Sequence, residues 1–350
     1  MRDANIDVAK GLGILTVVLC HNWILYFNRG ELSEIVFSFH MPLFFFISGI
    51  FFSSTNSFST LISKKADSLL KPYLVVTIAL GLLYRHTDVM YWLGAFYASG
   101  QTIDMTPLWF LAHLFISFIL SYFIHRYVLS RMSEAWQKWS VIAVMFIVGA
   151  HYIRYFLNSN LGLPELYAFV LAKDKKFLAL PFNADITLIT SAFLLSGNLL
   201  AQYFKAFKVN YRLMFVTALV FISTHYLFND TIELNDHVYS NTLICTLQAF
   251  CGIYLTFAFA DLAKKTPILY ELLAYLGVAS LFIFTFHFIP QHYITGVLQY
   301  RFPNYLFLGA AIGFVASIIF SLAIWELTKR STWLSFLLLP SNKKNVIQKN

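Results

Sequence analysis

The sequence predicts an all-α, polytopic integral membrane protein with about ten transmembrane helices and both termini cytoplasmic. Charged residues make up 12% of the 350-residue chain and hydrophobic ones 59%, with a mean hydropathy of +0.67. A soluble domain carries about 25% charged residues, and a disordered chain leans further toward charge. With 37 Phe, 20 Tyr and 7 Trp, the apolar surface exceeds what a soluble globule can cover. The third observation is the length of the apolar runs. Lipid offers no hydrogen bonds, so a spanning segment must be a helix or part of a closed barrel. Runs this long favour helices over the alternating strands, roughly ten residues each, of a barrel. The chain reads as one transmembrane domain over 1–330 and a basic cytoplasmic tail, 331–350.

Ten segments qualify as spans: 6–27, 35–52, 69–84, 108–127, 139–157, 182–203, 213–228, 240–260, 272–289 and 305–325. The first has no A-x-A cleavage signal and carries Asp7 and Lys10 in its opening turns, which marks a retained helix rather than a signal peptide. The third and seventh are short against the ~20 residues a bilayer requires, so their ends are the least defined. Residues 89–98 are apolar but too few to span, and read as an interfacial or re-entrant piece. Between the second and third spans, KKADSLLKPY (64–73) reads as a short cytoplasmic loop. No internal repeat is visible.

Ten spans put both termini on one side. With the N-terminus inside, 18 of the 25 Lys and Arg fall in inner segments and 7 in outer ones, against 7 acids inside and 10 outside. Topology follows the Lys/Arg bias, so the inner side is the cytoplasm. The excess of basic charge is thereby an orientation signal, and nucleic acid is excluded as a partner. Three cysteines, Cys20, Cys245 and Cys251, all lie in apolar runs and form no CxxC pair or disulfide framework. Ten histidines show no HExxH or HxxEH spacing, so no metal site is expected.

Ionisable residues inside a membrane are costly and mark function by default. At about 100° per residue, Lys10 and His21 project about 20° apart and Asp7 and His21 about 40° apart. All three share one face of the first helix, with His21 roughly 16 Å deeper than Lys10. Each has a bland alternative. Asp7 and Lys10 suit an interfacial i,i+3 pair with Lys10 snorkelling to headgroups, and a membrane histidine can simply bond a neighbouring helix. In the second span, Pro42 beside His40 marks a helix start or a kink, while Ser48-Gly49 permits close packing or lines a cavity. Lys64, Lys65 and Lys71 either anchor the cytoplasmic end or bind a polyanion's phosphates. Trp109 suits an aromatic belt. His287 and His292 flank Pro290 at a helix end, where solvent-facing roles are expected; His113 and His125 carry no assigned role.

Taken in order, these residues resemble a known pattern. Asp7, Lys10, Gly11 and His21 form D-x-x-[R/K]-G followed by an apolar run ending in His, which resembles the acyltransferase-3 family of membrane O-acyltransferases. FHMPLFFFISGIFF (39–52) is similar to the next motif, in its fucose 4-O-acetylase-like and polysaccharide O-acetyltransferase branch. KKADSLLKPY resembles the basic-then-Pro-Tyr motif, PLWFLAHLF (107–115) the "LWFL" motif, and 180–200 with FTFHFIP (284–290) weaker downstream patterns. Where the family commonly has Arg, this chain has Lys10, which lacks the planar fork of a guanidinium.

The resemblance implies an O-acetyltransferase, an enzyme moving acyl groups other than aminoacyl, in a bacterial inner membrane. It implies acetyl-CoA or a related acyl-CoA as co-substrate, no permanently bound cofactor, and a carbohydrate hydroxyl as acceptor, presented as a lipid-linked or exported glycan. A sugar hydroxyl is a weak nucleophile at neutral pH, so a base must take its proton; His21, supported by Asp7, is the expected catalytic residue. Lys10, Lys64, Lys65 and Lys71 are the expected contacts to CoA, and His40, Ser48, Trp109 and His287 the expected substrate contacts. An acyl-His relay and direct transfer are both open. The alternative class is a multi-pass exporter of a glycan or lipid-linked sugar, which also uses broken helices and buried charges. Against it, the polar candidates crowd into residues 7–71 rather than recurring in two halves.

Overall fold

A computed structural model of the chain describes residues 3–22, 30–103, 106–158, 179–228 and 230–341. Its opening helices are α1 (Ala4–Cys20), α2 (Glu31–Phe37), α3 (His40–Ile50), α4 (Phe58–Lys65), α5 (Lys71–Leu83) and α6 (Val89–Tyr97). Then come α7 (Trp109–Tyr127), α8 (Ala135–Asn158), α9 (Thr187–Leu199), α10 (Ala201–Lys205) and α11 (Tyr211–Phe228). Two short strands, β1 (Ile232–Glu233) and β2 (Val238–Tyr239), precede α12 (Thr242–Ala263). The chain ends with α13 (Pro267–Val278), α14 (Ser280–Phe286), α15 (Phe288–Arg301), α16 (Leu306–Arg330) and α17 (Thr332–Leu338). The protein is all-α and polytopic, as its composition predicts.

Among the described residues, six stretches are long and apolar enough to cross a membrane: Glu31–Ile50, Phe58–Leu83, Trp109–Arg131, Tyr211–Phe228, Thr242–Ala263 and Pro303–Arg330. A seventh is α13 with α14, bent by 63° at the break between them. The other three segments counted from sequence are also helical where described. They are α1, of 17 residues; α8, which carries Gln137, Lys138 and Arg154; and α9, entered through a 3-10 turn at Pro181–Ile186. Residues 23–27 of the first segment lie outside the described residues.

Local chemistry sets the ends. Asp3 caps α1 by accepting from the Asn5 and Ile6 amides, Ser57 caps α4, Asn241 caps α12 and Ser331 caps α17. The short apolar piece at 89–98 is α6, capped by Asp88 and stopped by Ala98 in the left-handed region at φ 56°.

One expectation is corrected and a second gains detail. KKADSLLKPY is helical rather than a loop: a π-helical turn, Ala66–Leu70, joins α4 to α5. Pro72 has no amide hydrogen to give to the turn before it, and the wider π turn accommodates that loss. The expected tail at 331–350 begins as helix α17, and Lys71 Nζ donates to the Leu339 carbonyl at 2.6 Å. Lys343, Lys344 and Lys349 lie outside the described residues.

The described residues fall into two units, each discontinuous in sequence. One comprises 1–51, 197–233 and 239–326; the other 52–196, 234–238 and 327–350. The first is built on an unusually close crossing. A Cβ on Gly11 would stand 2.0 Å from the Leu273 carbonyl oxygen, and one on Gly277 1.7 Å from the Asp7 carbonyl oxygen. Small residues let the backbones of α1 and α13 touch, which is how helices pack without a hydrophobic drive between them.

Candidate active site

The first unit holds the residues of α1. Asp7 is buried at 5% exposure, and Lys10 Nζ donates to its Oδ1 at 3.3 Å, one turn on. Lys10 Nζ also lies 5.3 Å from the centre of the Phe51 ring, and Lys205 Nζ, from α10, lies 5.8 Å from the same ring. Phe51 is 53% exposed. Two ammonium groups therefore flank one accessible aromatic face. Lys205 was not singled out from sequence, because nothing in its local pattern ties it to a motif 195 positions earlier.

At the other end of α1, His21 is the C-cap residue, its amide donating to the Val17 carbonyl at 3.2 Å. Its Nδ1 is 3.1 Å from Nε2 of His287, with the ring centres 5.1 Å apart. Phe288 closes on His21 edge-on at 5.8 Å. His287 is fully buried at the joint of α14 and α15, so the solvent-facing role expected of it is corrected. One turn further, Gln291 Nε2 donates to the Val18 carbonyl at 3.1 Å and ties α15 to the end of α1. The sequence signal that could have found this pairing is the i,i+4 spacing of His287 and Gln291 on one polar stripe.

His40 begins α3, so Pro42 marks a helix start, not a kink within one. Its ring is buried, with Nδ1 2.9 Å from the Val36 carbonyl. Ser48 is half-buried on α3, and the neighbouring Gly49 carbonyl accepts from Asn198 at 3.4 Å. No group of three His, Cys, Asp or Glu side chains that could hold a metal ion occurs among the described residues.

The second unit holds the lysines around the π turn. Lys64 is exposed. The Lys65 ammonium sits 3.5 Å above the Phe118 ring, a cation–π arrangement. Lys71 is engaged at both sides, with Asp67 at 2.5 Å and the Leu339 carbonyl at 2.6 Å. Asp67 in turn accepts from the Ser341 amide at 2.6 Å. Lys71 is thus a strap for the end of α17, Lys65 rests on an aromatic ring, and Lys64 is the exposed one of the three.

The same unit contains a buried polar network that sequence reasoning left without a role. His113 Nδ1 donates to the Phe182 carbonyl at 2.8 Å, and Nε2 faces Thr190 Oγ1 at 2.9 Å and Ser117 Oγ at 3.3 Å. Asp185 pairs with His237 and also accepts from the Leu180 amide at 3.0 Å. Asn183 accepts from the Gly100 amide at 3.0 Å. Phe182, Asn183 and His237 all adopt positive φ, a local cost that the surrounding structure holds in place. Outside the spans, burial and then the charge of Asp185 push the Tyr97 hydroxyl up to about 12, and it stays a donor to the Ala179 carbonyl. Trp109 is 5% exposed and tilts against His113 at 5.5 Å, so the aromatic-belt position expected of it is corrected.

A family model described as an acyltransferase domain matches residues 3–326, nearly the whole chain. No curated protein and no solved structure gives a match.

Proposed function

The chain belongs to the acyltransferase-3 family and is a multi-pass membrane acyltransferase, and from that premise we propose that it transfers an acetyl group from acetyl-CoA to a hydroxyl of a cell-envelope or exported carbohydrate. The observation that carries the reading is the end of α1. A half-buried His21 is packed by His287 and Phe288 on the helix that also bears the Asp7–Lys10 pair.

The acceptor hydroxyl oxygen attacks the thioester carbonyl carbon as His21 takes the hydroxyl proton. The C–S bond breaks, and the proton passes from His21 to the CoA thiolate, so the base is restored. A neutral imidazole is the form this requires. Asp7 acts at a distance, by holding Lys10. The phosphates and adenine of acetyl-CoA suit the Lys10–Phe51–Lys205 face, where two cations bracket an exposed ring. Lys64, Lys65 and Lys71, expected from sequence to contact CoA, lie in the other unit, where Lys65 rests on Phe118 and Lys71 is taken up by Asp67 and the Leu339 carbonyl. His40 and Ser48 are proposed to contact the acceptor. The site serves a lipid-linked glycan in a bacterial inner membrane.

The test is transfer by protein reconstituted in lipid vesicles, with labelled acetyl-CoA and a panel of glycans, beside His21→Ala. Loss of about 10²–10⁴ in rate is expected from removing a general base. An Ala variant as fast as wild type would remove His21 from the chemistry. Glycan crossing the vesicle wall without any transfer of label would make the protein an exporter.

A further inference from the structure

His21 has two ring nitrogens, and only one can be the base. Which one is decided by its neighbour. His287 Nδ1 faces two carbonyl oxygens, that of Ile283 at 2.7 Å and that of Phe284 at 3.0 Å. Carbonyl oxygens only accept, so Nδ1 of His287 carries a hydrogen. His287 is 0% exposed, and its hydrogen-bond partners are those two carbonyls and His21, none of them acidic. An imidazolium there would be a buried charge with no counter-ion among the described residues, which folding avoids. The ring is therefore neutral, and its Nε2 is an acceptor. Across 3.1 Å stands Nδ1 of His21, which must then donate. That leaves the lone pair of His21 on Nε2.

We propose that His287 is a positioning residue: it holds His21 in the Nδ1–H tautomer and so makes Nε2 the atom that receives the acceptor's proton. This rests on the reading of His21 as the base. When the proton arrives at Nε2, the positive charge on His21 is shared through the Nδ1–H bond to His287, which has no proton of its own to clash with it. The arrangement is rigid at both sides. Gln291 ties α15 to Val18 one turn away, and the two carbonyls that orient His287 belong to its own preceding turn. The logic is that of any imidazole whose far nitrogen sets the reactive one.

The experiment is solid-state ¹⁵N spectroscopy of ring-labelled histidine in the full protein in lipid, with the His21 resonances assigned by their loss in His21→Ala. The expected spectrum has His21 protonated at Nδ1 and bare at Nε2. In His287→Leu the Nδ1–H state should no longer dominate, and kcat should fall about 10–100-fold with KM for acetyl-CoA unchanged. His287→Gln places an amide oxygen near the lost Nε2 and should recover much of both. A wild-type His21 protonated at Nε2 would overturn the proposal without any substitution. So would a folded His287→Leu protein with the wild-type tautomer and rate. If instead His21→Ala keeps full activity while the tautomer is as expected, the base assignment fails and the geometry of the pair stands.

Discussion

His21 and the Asp7–Lys10 pair sit at opposite ends of α1, separated by roughly 16 Å of helical rise. Two groups that far apart cannot hold one chemical group, but they suit the two ends of an extended ligand whose phosphates and thioester are joined by a flexible arm. Lys10→Ala and Lys205→Ala should each raise KM for acetyl-CoA about twofold to fivefold, the size expected of exposed charge pairs, with kcat little changed. The effect should shrink at high salt, where such charges are screened. A KM that ignores both substitutions would return the two lysines to membrane anchoring. Asp185 makes a different prediction, since it is a buried carboxylate paired with a buried histidine. Asp185→Ala should cost about 3–5 kcal/mol, because His237 loses its partner and the Leu180 amide its acceptor. A thermal melt in detergent reads this directly, and an unchanged midpoint would show that the network is dispensable.

At the scale of elements, the α1–α13 crossing depends on having no side chain at two positions. Gly277→Ala puts a methyl group 1.7 Å from the Asp7 carbonyl oxygen, so the helices must separate. The expected cost is about 1–3 kcal/mol, the range of overpacking, together with a loss of rate because α1 carries the site. Gly296→Ala is the control. It lies inside α15 with nothing within 4 Å of its Cβ, and should stabilise by about 0.5–1 kcal/mol. If both variants melt alike, the close crossing is not what holds α1. Much of the element pattern is legible in sequence, since hydropathy alone marks every apolar segment. What it misses is informative. Charge in KKADSLLKPY signals a loop, yet the π turn and the apolar residues Leu61 and Leu69 keep it helical. The 63° break after Val278 has no proline at its centre, and the Gly277 and Ser280 beside it read equally as close-packing residues.

Across the whole molecule, the ten-span reading of the sequence predicts 18 of the 25 basic residues on the inner side. A cysteine at position 138 should be shielded from an impermeant thiol reagent in intact cells, and one at position 88 should be labelled. The three native cysteines are all buried, which keeps the background low. The reverse labelling pattern would invert the topology and put the Lys10 face on the wrong side for cytoplasmic CoA.

The sequence by itself determined that the chain lives in lipid, where its apolar segments fall, and that Asp7, Lys10 and His21 share one helix face. These follow from composition and from the helical period, both of which are local. Only the tertiary structure decided that His287 is the partner of His21, that Lys205 joins Lys10 at Phe51, and that His113, Asp185 and His237 form a network. Each of these joins positions dozens to hundreds of residues apart. The physical reason is that a hydrogen bond is set by where packed helices bring two side chains, and periodicity within one helix carries no record of its neighbour. For the reactive nitrogen of His21 the dependence is complete: the choice is made by two carbonyls and an imidazole from the far end of the chain.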